Sequence, residues 1–428
     1  MAEKVDVIVV GAGLAGLFCA YELAGAGADV LVIERGDYPG AKNVSGGRLY
    51  LNPVRAFAPE LWADAPLERP VVKERLTVMA GESSTTVEFT GDRLRRKPHH
   101  SATILRSTFD RWLADKVSER GAIIVPKVIV REPVMQNGRV IGIQADDEIH
   151  ADVVVAADGV LSFVAEKAGL RGRLKPKNHA VGVKEIIELP ADRIEDRFGV
   201  GPGEGAAQLF FGSISRGMIG GGFAYANRDS ISLGMVVGIE ALMKHDPPIE
   251  SYRLYEEFKS RPEVTALIAG GNTIEYSAHV VPEGGIAALP QLAGDGILLV
   301  GDAAGLGLNL GVTVRGMDFA IASGVMAARA ILKAREAKDF TRAGLSHYET
   351  SLKSSFVLQD MRTFSYMPHL LENPRMYASY PDVICNMLEK IFWIGDGPKA
   401  RMSAEALGEA RRLANWEAVR DGLDLFKV

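Results

Sequence analysis

Six residues near the start of the chain have the composition and spacing of a phosphate-binding turn. They follow the apolar run 5–10 and are Gly11, Ala12, Gly13, Leu14, Ala15 and Gly16. The first glycine permits a tight turn, the second lets the backbone approach a phosphate, and the third lets a helix pack close to a strand. Because amides at a helix N-terminus attract anions, this segment predicts a site for the diphosphate of a dinucleotide.

An acidic residue follows at the position where such a site needs one. Glu34 ends the next apolar run, 30–33, so strand, glycine turn, helix, strand and acid occur in the required order. A carboxylate here can hold both hydroxyls of an adenosine ribose, which favours FAD or NAD over a cofactor with a 2′-phosphate. The alternative is a chance glycine turn, and this complete order makes it the poorer interpretation.

Two later segments repeat the pattern of a buried strand that ends in a polar turn. The run 153–157 leads into Asp158 and Gly159, and the run 297–300 leads into Gly301 and Asp302. Between the glycine turn and these segments, Arg106 begins a helical pattern. Taken singly, an Asp-Gly pair is a turn and Arg106 is a solvated residue at a helix start. Their joint order predicts that separate stretches of chain converge on one cofactor.

Composition excludes several classes of function. The 428 residues carry a net charge of -5 and contain no block of five like charges, so nucleic acid is not an expected partner. Cys19 and Cys385 are the two cysteines, which are too few and too far apart for a catalytic dithiol or an iron–sulfur cluster. Scattered histidines indicate no protein-built metal site. The apolar start leads into the glycine turn, so we expect no secretory signal, and no apolar run is long enough to span a membrane.

The predicted architecture is α/β with a discontinuous Rossmann-like FAD-binding domain, an inserted antiparallel-sheet substrate domain and a helical C-terminal region. The predicted domain ranges are 1–75, 101–180 and 275–345 for the cofactor, 76–100 and 181–274 for the substrate, and 346–428 for the helical region. Alternating residues predict strands at 123–125, 128–130, 181–189, 206–213, 218–225 and 230–237. A helix is expected from about Val312 to Ala334, with Arg315 in its first turn.

These segments resemble the glutathione-reductase-type FAD fold. Within that fold, the chain resembles the electron-transfer-flavoprotein:quinone oxidoreductase family in its bacterial FixC form, over nearly its whole length. The segments that carry this closer resemblance are 182–185, 218–225, 233–238, 283–285, 313–318 and 371–375. The resemblance implies that Asp302 binds the ribityl chain and that Arg106 contacts the phosphates or a ribose. The residues expected to contact FAD are Gly11, Gly13, Leu14, Ala15, Gly16, Glu34, Arg35, Ser45, Gly46, Arg106, Val128, Asp158, Gly159, Gly301, Asp302, Gly311 and Val312.

The family also implies partners. Electrons would come from an electron-transfer flavoprotein of the FixA/FixB type and leave to a quinone, within an assembly that bifurcates electrons from NADH. Relatives of the mitochondrial type carry a ferredoxin-like domain, whose cysteines this sequence lacks, so a separate FixX-type subunit would hold the cluster. The quinone ring is expected near Gly220 and Gly221; the alternative is that the sheet needs these glycines for twist or close packing.

Several alternatives remain open at this stage. A cation in a first helical turn suggests an anionic neighbour for Arg315, and a surface pair with Asp318 is the other interpretation. The apolar segment 391–394 suits a membrane interface, although burial against its own domain is favoured. The expected location is the cytoplasm, with a peripheral position on the inner face of the cytoplasmic membrane as a further option. Other candidate functions are a geranylgeranyl-reductase-like prenyl reductase, a flavin relay subunit and, more distantly, a hydroxylase.

Overall fold

The computed structural model describes residues 4–43, 46–412, 416–424 and 427. The strands in these ranges are β1 Lys4–Val10, β2 Val30–Ile33, β3 Gly47–Tyr50, β4 Val71–Ala80, β5 Ser83–Thr90, β6 Ser101–Ile104, β7 Ile123–Val125, β8 Glu132–Gln136, β9 Arg139–Gln144, β10 Glu148–Ala156, β11 His179–Glu188, β12 Gly205–Gly212, β13 Gly220–Ala226, β14 Ser230–Gly238, β15 Asn272–Pro282, β16 Ala293–Gly294, β17 Ile297–Leu299, β18 Leu308–Asn309 and β19 Val314–Arg315.

Helices cover one face of the first sheet and most of the C-terminal third. They are α1 Leu14–Gly25, α2 Asp92–Arg95, α3 Arg106–Glu119, α4 Phe163–Lys167, α5 Ala191–Phe198, α6 Ile239–Lys244, α7 Ser251–Lys259, α8 Pro262–Ile268, α9 Met317–Ala337, α10 His347–Ser354, α11 Phe356–Thr363, α12 Met367–Leu371, α13 Ser379–Phe392, α14 Met402–Arg412 and α15 Trp416–Asp424. None of the helices in the described ranges combines the length and apolar composition needed to cross a membrane.

The first sheet contains the parallel strands that precede and follow the glycine turn. Its strand order is β16-β17-β10-β1-β2-β7, with β9 attached to β10 and β8 to β9. The pairs formed by β1 with β10 and β2, by β10 with β17 and by β2 with β7 are parallel. Strands buried on both faces read as continuous apolar runs, as 7–10 and 153–156 do. The carboxyl ends of β1, β10 and β17 therefore meet at one edge.

The second sheet has the order β15-β11-β14-β13-β12-β4-β5. The sequence predicts an antiparallel sheet, but β12 and β4 pair in parallel, so the sheet is mixed. Tight hairpins enforce antiparallel pairing only between strands that follow each other closely. Because β4 and β12 are separated in the chain by β5–β11, four of which belong to the first sheet, their connection leaves the orientation free.

Two details of the sequence-based secondary structure are wrong, the strand at 128–130 and the helix start at Val312, and three predicted domain boundaries fall within strands. The predicted boundaries after residues 75, 180 and 274 fall inside β4, β11 and β15, so each cuts a strand of the second sheet. Residues 128–130 form no strand. The helix predicted from Val312 begins at Met317, because Val314 and Arg315 pair with β18 in a short hairpin. The division into a cofactor domain and a substrate domain stays a prediction.

Candidate functional site

The turn between β1 and α1 has the backbone geometry that only glycine allows. Gly11 has φ +106°, and a Cβ there would lie 2.4 Å from the carbonyl oxygen of Ala157 on the neighbouring strand end. A Cβ on Gly16 would lie 2.1 Å from the carbonyl oxygen of Gly11. The first glycine therefore brings two strand ends together, and the last lets α1 pack directly against the turn.

The second glycine opens toward a cavity. Gly13 is the residue preceding α1, and the nearest atoms to a Cβ there are Nη2 of Arg106 at 3.7 Å and Nδ2 of Asn43 at 3.8 Å. The free amides of a twelve-residue helix are thus flanked by a guanidinium and an amide donor. A helix N-terminus with these neighbours suits a diphosphate.

Arg106 is held in place by a buried carboxylate. Its Nε and Nη2 donate to Asp110 at 2.8 and 2.7 Å, and Nδ2 of Asn43 donates to the same carboxylate at 2.6 Å. Asp110 is fully buried. The interpretation of Arg106 as a solvated residue is therefore wrong. Sequence reasoning missed Asp110, although its position four residues after Arg106 on one helix was a usable signal; no pattern pointed to Asn43.

Glu34 lies at the carboxyl end of β2 with its carboxylate fixed by backbone amides. Oε2 accepts from the amide of Ala12 at 2.9 Å, and Oε1 accepts from the amide of Gly36 at 2.6 Å. The amide of Val128 donates to the carbonyl of Glu34 at 3.0 Å, which ties the start of the segment 128–130 to the end of β2. Arg35 and Val128 border the same part of the cavity, where the adenosine end of a dinucleotide would lie.

Two aspartates face the cavity from the ends of the parallel strands. Asp158 accepts from the hydroxyl of Ser162 at 2.6 Å and from the amide of Val164 at 3.2 Å, and burial raises its pKa. Burial also raises the pKa of Asp302, against the lowering effect of the Arg106 cation. Among the described residues, no side-chain hydrogen bond to the Asp302 carboxylate is formed. The carboxylate borders the cavity and is open to a donor from a bound molecule, and a ribityl hydroxyl is one that fits.

The segment beyond Asp302 forms the far end of the cavity. Gly311 has φ +74° in the hairpin between β18 and β19, and Val312 is exposed beside it. Arg315 precedes α9 and does not lie in its first turn. Its Nε and Nη2 donate to Asp318 at 2.8 and 2.5 Å, and Nη1 donates to Asp360. The pairing with Asp318 is therefore confirmed, but the pair is buried and Arg315 also borders the cavity.

The second sheet supplies the other wall. A Cβ on Gly220 would lie 2.6 Å from the carbonyl oxygen of Val236, and one on Gly221 would lie 2.7 Å from that of Phe210. Close packing within the sheet thus accounts for both glycines. They border the cavity as well, opposite the apolar cluster of Met367, Leu370 and Leu371 with Ile219 and Phe364.

One cavity of about 1520 Å³ connects these features. The predicted cofactor and quinone residues that line it are Gly11, Gly13, Leu14, Ala15, Glu34, Arg35, Gly46, Arg106, Val128, Asp158, Gly159, Gly220, Gly221, Gly301, Asp302, Gly311 and Val312. Gly16 lies behind the turn, and Ser45 is outside the described residues. The contacts of these residues with a bound molecule stay predictions.

Lys184 and Glu283 are titratable residues beside the cavity to which the sequence analysis assigned no role. Lys184 on β11 is 2% exposed, and its Nζ donates to the carbonyl of Gly46 at 2.7 Å. Glu283 follows β15 and faces the cavity. Both belong to segments that carry the family resemblance, 182–185 and 283–285, but local pattern alone does not distinguish them from ordinary surface charges.

The residues present fit FAD. The cradle at Gly13 and the guanidinium of Arg106 suit a diphosphate, the fixed carboxylate of Glu34 suits the adenosine ribose, and the unpaired carboxylate of Asp302 suits the ribityl chain, and all four residues border one cavity. Gly159 has φ +79°, and a Cβ there would meet no atom within 4 Å, so the wall beside Asp158 is open to a bulky group.

Two family models match parts of the chain. A model described as FAD dependent oxidoreductase matches residues 6–76, and one described as ETF-QO, ubiquinone-binding matches residues 179–281. The first covers the glycine turn and Glu34. The second covers β11 to β14 and nearly all of β15, including Gly220 and Gly221 of β13.

Curated relatives match over nearly their whole length. Protein FixC of Escherichia coli K12 is 44% identical over 425 residues, which cover 99% of each chain. The probable electron transfer flavoprotein-quinone oxidoreductase YdiS of the same strain is 43% identical over 98% of each chain. Protein FixC of Azorhizobium caulinodans is 39% identical over 97% of this chain and 96% of the relative.

Solved structures agree in fold at lower identity. A geranylgeranyl bacteriochlorophyll reductase-like protein from Thermoplasma acidophilum has a TM-score of 0.74 at 21% identity, over 99% of this chain and all of that one. The myxobacterial FAD-dependent halogenase CndH has a TM-score of 0.62 at 19% identity, over 88% and 83%. These likenesses show the fold alone, whereas the relatives of 39–44% identity show the family. The chain is an FAD-dependent oxidoreductase and belongs to the FixC/electron transfer flavoprotein-quinone oxidoreductase family.

Proposed function

We propose that this chain accepts electrons from an electron-transfer flavoprotein and passes them to a membrane quinone. The observation that carries the proposal is the single cavity that runs from the glycine turn of the first sheet to β13 of the second. Its second wall lies within the segment that matches the ubiquinone-binding model. A flavin and a quinone in one cavity can exchange electrons directly, without a thiol or a metal between them.

The residues at the cofactor end of the cavity can hold and orient FAD. FAD, when bound, supplies the two-electron redox chemistry. The amides beside Gly13 and the cation of Arg106 hold the diphosphate, Glu34 holds the adenosine ribose, and Asp302 accepts from the ribityl chain. Gly311 and Val312 then border the ring, next to the N-terminus of α9 and the cation of Arg315. Positive potential there stabilises negative charge on the reduced ring.

The quinone end is apolar and carries little charge. Gly220 and Gly221 bring backbone groups to the wall, where an amide or carbonyl can meet a quinone oxygen. Leu370, Leu371 and Phe364 cover the opposite side and exclude water. An apolar pocket with a few polar groups is the usual form of a site for such a ligand.

The partners follow from the composition and the relatives. An electron-transfer flavoprotein of the FixA/FixB type is the donor, in agreement with the name of the relative YdiS. With two buried cysteines the described chain offers no ligand set for an iron–sulfur cluster, so a FixX-type subunit holds it within an electron-bifurcating assembly.

A peripheral position on the inner face of the cytoplasmic membrane is part of the proposal. The expectation that segment 391–394 is buried is wrong for three of its residues, because Phe392, Trp393 and Ile394 are 77%, 72% and 69% exposed. Exposed aromatic and aliphatic side chains in sequence suit the interfacial region of a bilayer. A quinone that partitions into lipid could then reach the cavity from the membrane.

Reconstitution tests the function. The FAD-loaded chain is mixed anaerobically with a reduced electron-transfer flavoprotein of the FixA/FixB type, and the flavin absorbance is followed before and after addition of a short-chain ubiquinone. We expect reduction by the partner and reoxidation by the quinone. A chain that is reduced but not reoxidised, and that binds no quinone analogue, would be a relay subunit instead.

A prenyl reductase is not favoured. Its support is the likeness to the Thermoplasma acidophilum structure, which at 21% identity concerns the fold. The relatives of 39–44% identity, matched over almost their full length, bear other names.

A further inference from the structure

Quinone reduction raises a question of proton supply. A quinone takes up two electrons and two protons to become a quinol. An anionic reduced flavin returns to its oxidised form by releasing two electrons and one proton. One further proton must therefore come from the protein or from water, and an apolar pocket excludes water.

We infer that Glu283 is a catalytic residue that donates this proton to the quinone. In the step, the O–H bond of the Glu283 carboxylic acid breaks, its proton joins a quinone oxygen, and the bonding pair stays on the carboxylate. The reduced flavin supplies both electrons and the other proton, and water at the cavity mouth later reprotonates the carboxylate. The inference rests on the proposed function.

Glu283 lies at the same end of the second sheet as Gly220. β15 ends at Pro282, β11 begins at His179, β14 ends at Gly238 and β13 begins at Gly220, and these four strands are neighbours. Strands lie about 4.8 Å apart, so Gly220 and the end of β15 are about 14 Å from each other. A quinone ring with its oxygens on opposite sides spans part of that distance.

Tyr377 lies near both of these strand ends and lines the cavity. It is buried at 5% exposure, and it is close enough to both Glu283 and Gly220 for each to influence its pKa. Its hydroxyl donates to the carbonyl of Leu371 at 2.8 Å. Tyr377 therefore helps to define the pocket, but its proton is already engaged.

The surroundings of Glu283 favour a protonated carboxyl. Within the described ranges, its side-chain partner is Nδ2 of Asn309, at 3.2 and 3.4 Å from the two oxygens, and no cation pairs with it. Burial raises the pKa of Glu283 to about 7. A carboxyl with this pKa is partly protonated at neutral pH, which suits a general acid.

Asn309 fixes the direction of this contact and links it to the flavin end. Its Oδ1 accepts from the amide of Gly311 at 2.8 Å, so its amide hydrogens are left to face Glu283. Gly311 is one of the residues expected to border the flavin ring. The acid is thus held by the hairpin that forms the flavin wall.

Other titratable groups near the Glu283 end of the second sheet are poorer proton donors. Burial lowers the pKa of His279 to about 4, so this ring is neutral at pH 7. His179 has a lowered pKa, and its Nδ1 is engaged with the carbonyl of Lys175 at 2.8 Å. Lys177 pairs with Glu372 at 3.7 Å on the rim.

The test compares two oxidants on the FAD-loaded chain after chemical reduction. Reoxidation by a short-chain ubiquinone needs the proton, whereas reoxidation by ferricenium ion takes electrons alone. In E283Q we expect the quinone rate at pH 6.5 to fall about 100-fold, at the lower end of what a general acid contributes. The ferricenium rate should keep its wild-type value. E283D should recover part of the quinone rate.

Matched controls and a second readout complete the experiment. Glu275 lies on β15 outside the cavity, and E275Q should leave both rates unchanged. In wild type the quinone rate should fall as pH rises through about 7, and the infrared carboxyl band of the isolated chain should titrate in the same range. Both effects should vanish in E283Q.

The outcomes separate the two proposals. If ubiquinone does not reoxidise the wild-type chain, the proposed function fails. If it does so equally well in E283Q, or if E283Q slows ferricenium to the same extent, then Glu283 is not the proton donor.

Discussion

Arg106 has a structural contact with Asp110 and a proposed role in binding the FAD diphosphate. Asp110, which also accepts from the Asn43 amide, holds its guanidinium beside Gly13, where an anion would meet both the cation and the helix amides. A hydrogen bond to a charged group contributes about 1.5–3 kcal/mol. We therefore expect R106M to weaken FAD binding about 10- to 100-fold, measured by fluorescence titration of the deflavinated chain.

The loss in R106M must be separated from the effect of leaving Asp110 unpaired. The double variant R106M/D110N removes that buried charge, and it should bind FAD as weakly as R106M. Arg111 on the same helix stacks over the ring of Tyr38 at 4.0 Å, and R111M serves as the matched control. Wild-type affinity in the double variant would exclude a phosphate contact for Arg106.

Lys184 gives a pH-dependent contribution to stability. Burial lowers its pKa to about 7 from an ordinary value of 10.5. Between these values the unfolded chain binds a proton that the folded chain does not, so this group makes the free energy of unfolding rise with pH. Below pH 7 both states are protonated and the contribution is flat. The slope is at most about 1.4 kcal/mol per pH unit.

Replacing Lys184 by methionine should remove that slope. We expect urea midpoints of K184M to change less between pH 7 and 9 than those of wild type. K353M replaces a lysine that is 59% exposed, and it should keep the wild-type slope. Equal slopes in wild type and K184M would mean that Lys184 stays charged in the folded protein.

At the scale of elements, the start of α9 determines the charge beside the flavin end. Arg315 sits between the cavity and two carboxylates, Asp318 and Asp360. Its removal leaves negative charge near a ring that becomes negative on reduction. R315M should therefore lower the flavin midpoint potential, by about 30 mV if about 1.4 kcal/mol of stabilisation is lost in a two-electron couple.

Spectroelectrochemical titration measures this shift. Arg329 lies farther along α9, 3.6 Å from Glu22 and 5.5 Å from the ring of Phe57, and R329M is the control outside the cavity. If R315M and R329M both keep the wild-type potential, Arg315 has no influence on the flavin.

The elements that the sequence predicted well are those whose pattern is local. The turn at Gly11–Gly16 and the alternating strands of the second sheet show their periodicity directly. The predicted start of α9 was wrong because Val314 is β-branched, and such a residue occurs in helices as well as in strands. In the structure Val314 pairs with Asn309 across the hairpin, so it belongs to a strand. The parallel pairing of β4 with β12 depends on long-range topology that no local pattern contains.

The candidate site shows the same distinction between residues found from local patterns and residues that depend on long-range contacts. Glu34 and Asp302 follow strands at recognisable positions, so sequence order was enough to propose them. Asn43, Lys184 and Glu283 depend on contacts between segments far apart in the chain, with Asp110, Gly46 and Asn309 respectively. Such pairs become visible when the two sheets are in place.

At the scale of the whole molecule, the segment around Gly46 joins the cofactor wall to the second sheet. Gly46 has φ +75°, and a Cβ there would lie 1.8 Å from Oγ of Ser232 on β14. Lys184 on β11 donates to its carbonyl. The same short segment therefore borders the cavity and is fastened to the sheet that forms the opposite wall.

The exposed C-terminal end of α13 is where the molecule would meet a membrane. Nζ of Lys399 donates to the carbonyls of Lys390 and Trp393 at 3.0 and 2.5 Å, which secures the backbone while the side chains of Phe392 and Ile394 point outward.

Complete burial of an apolar side chain contributes about 1.5–3 kcal/mol. With partial insertion, F392S/I394S should weaken cosedimentation with quinone-containing vesicles at least about tenfold. V87S/F89S replaces a pair on β5 that is 64% and 59% exposed, so it controls for exposure alone. Equal losses in both variants, or none in F392S/I394S, would contradict contact through α13.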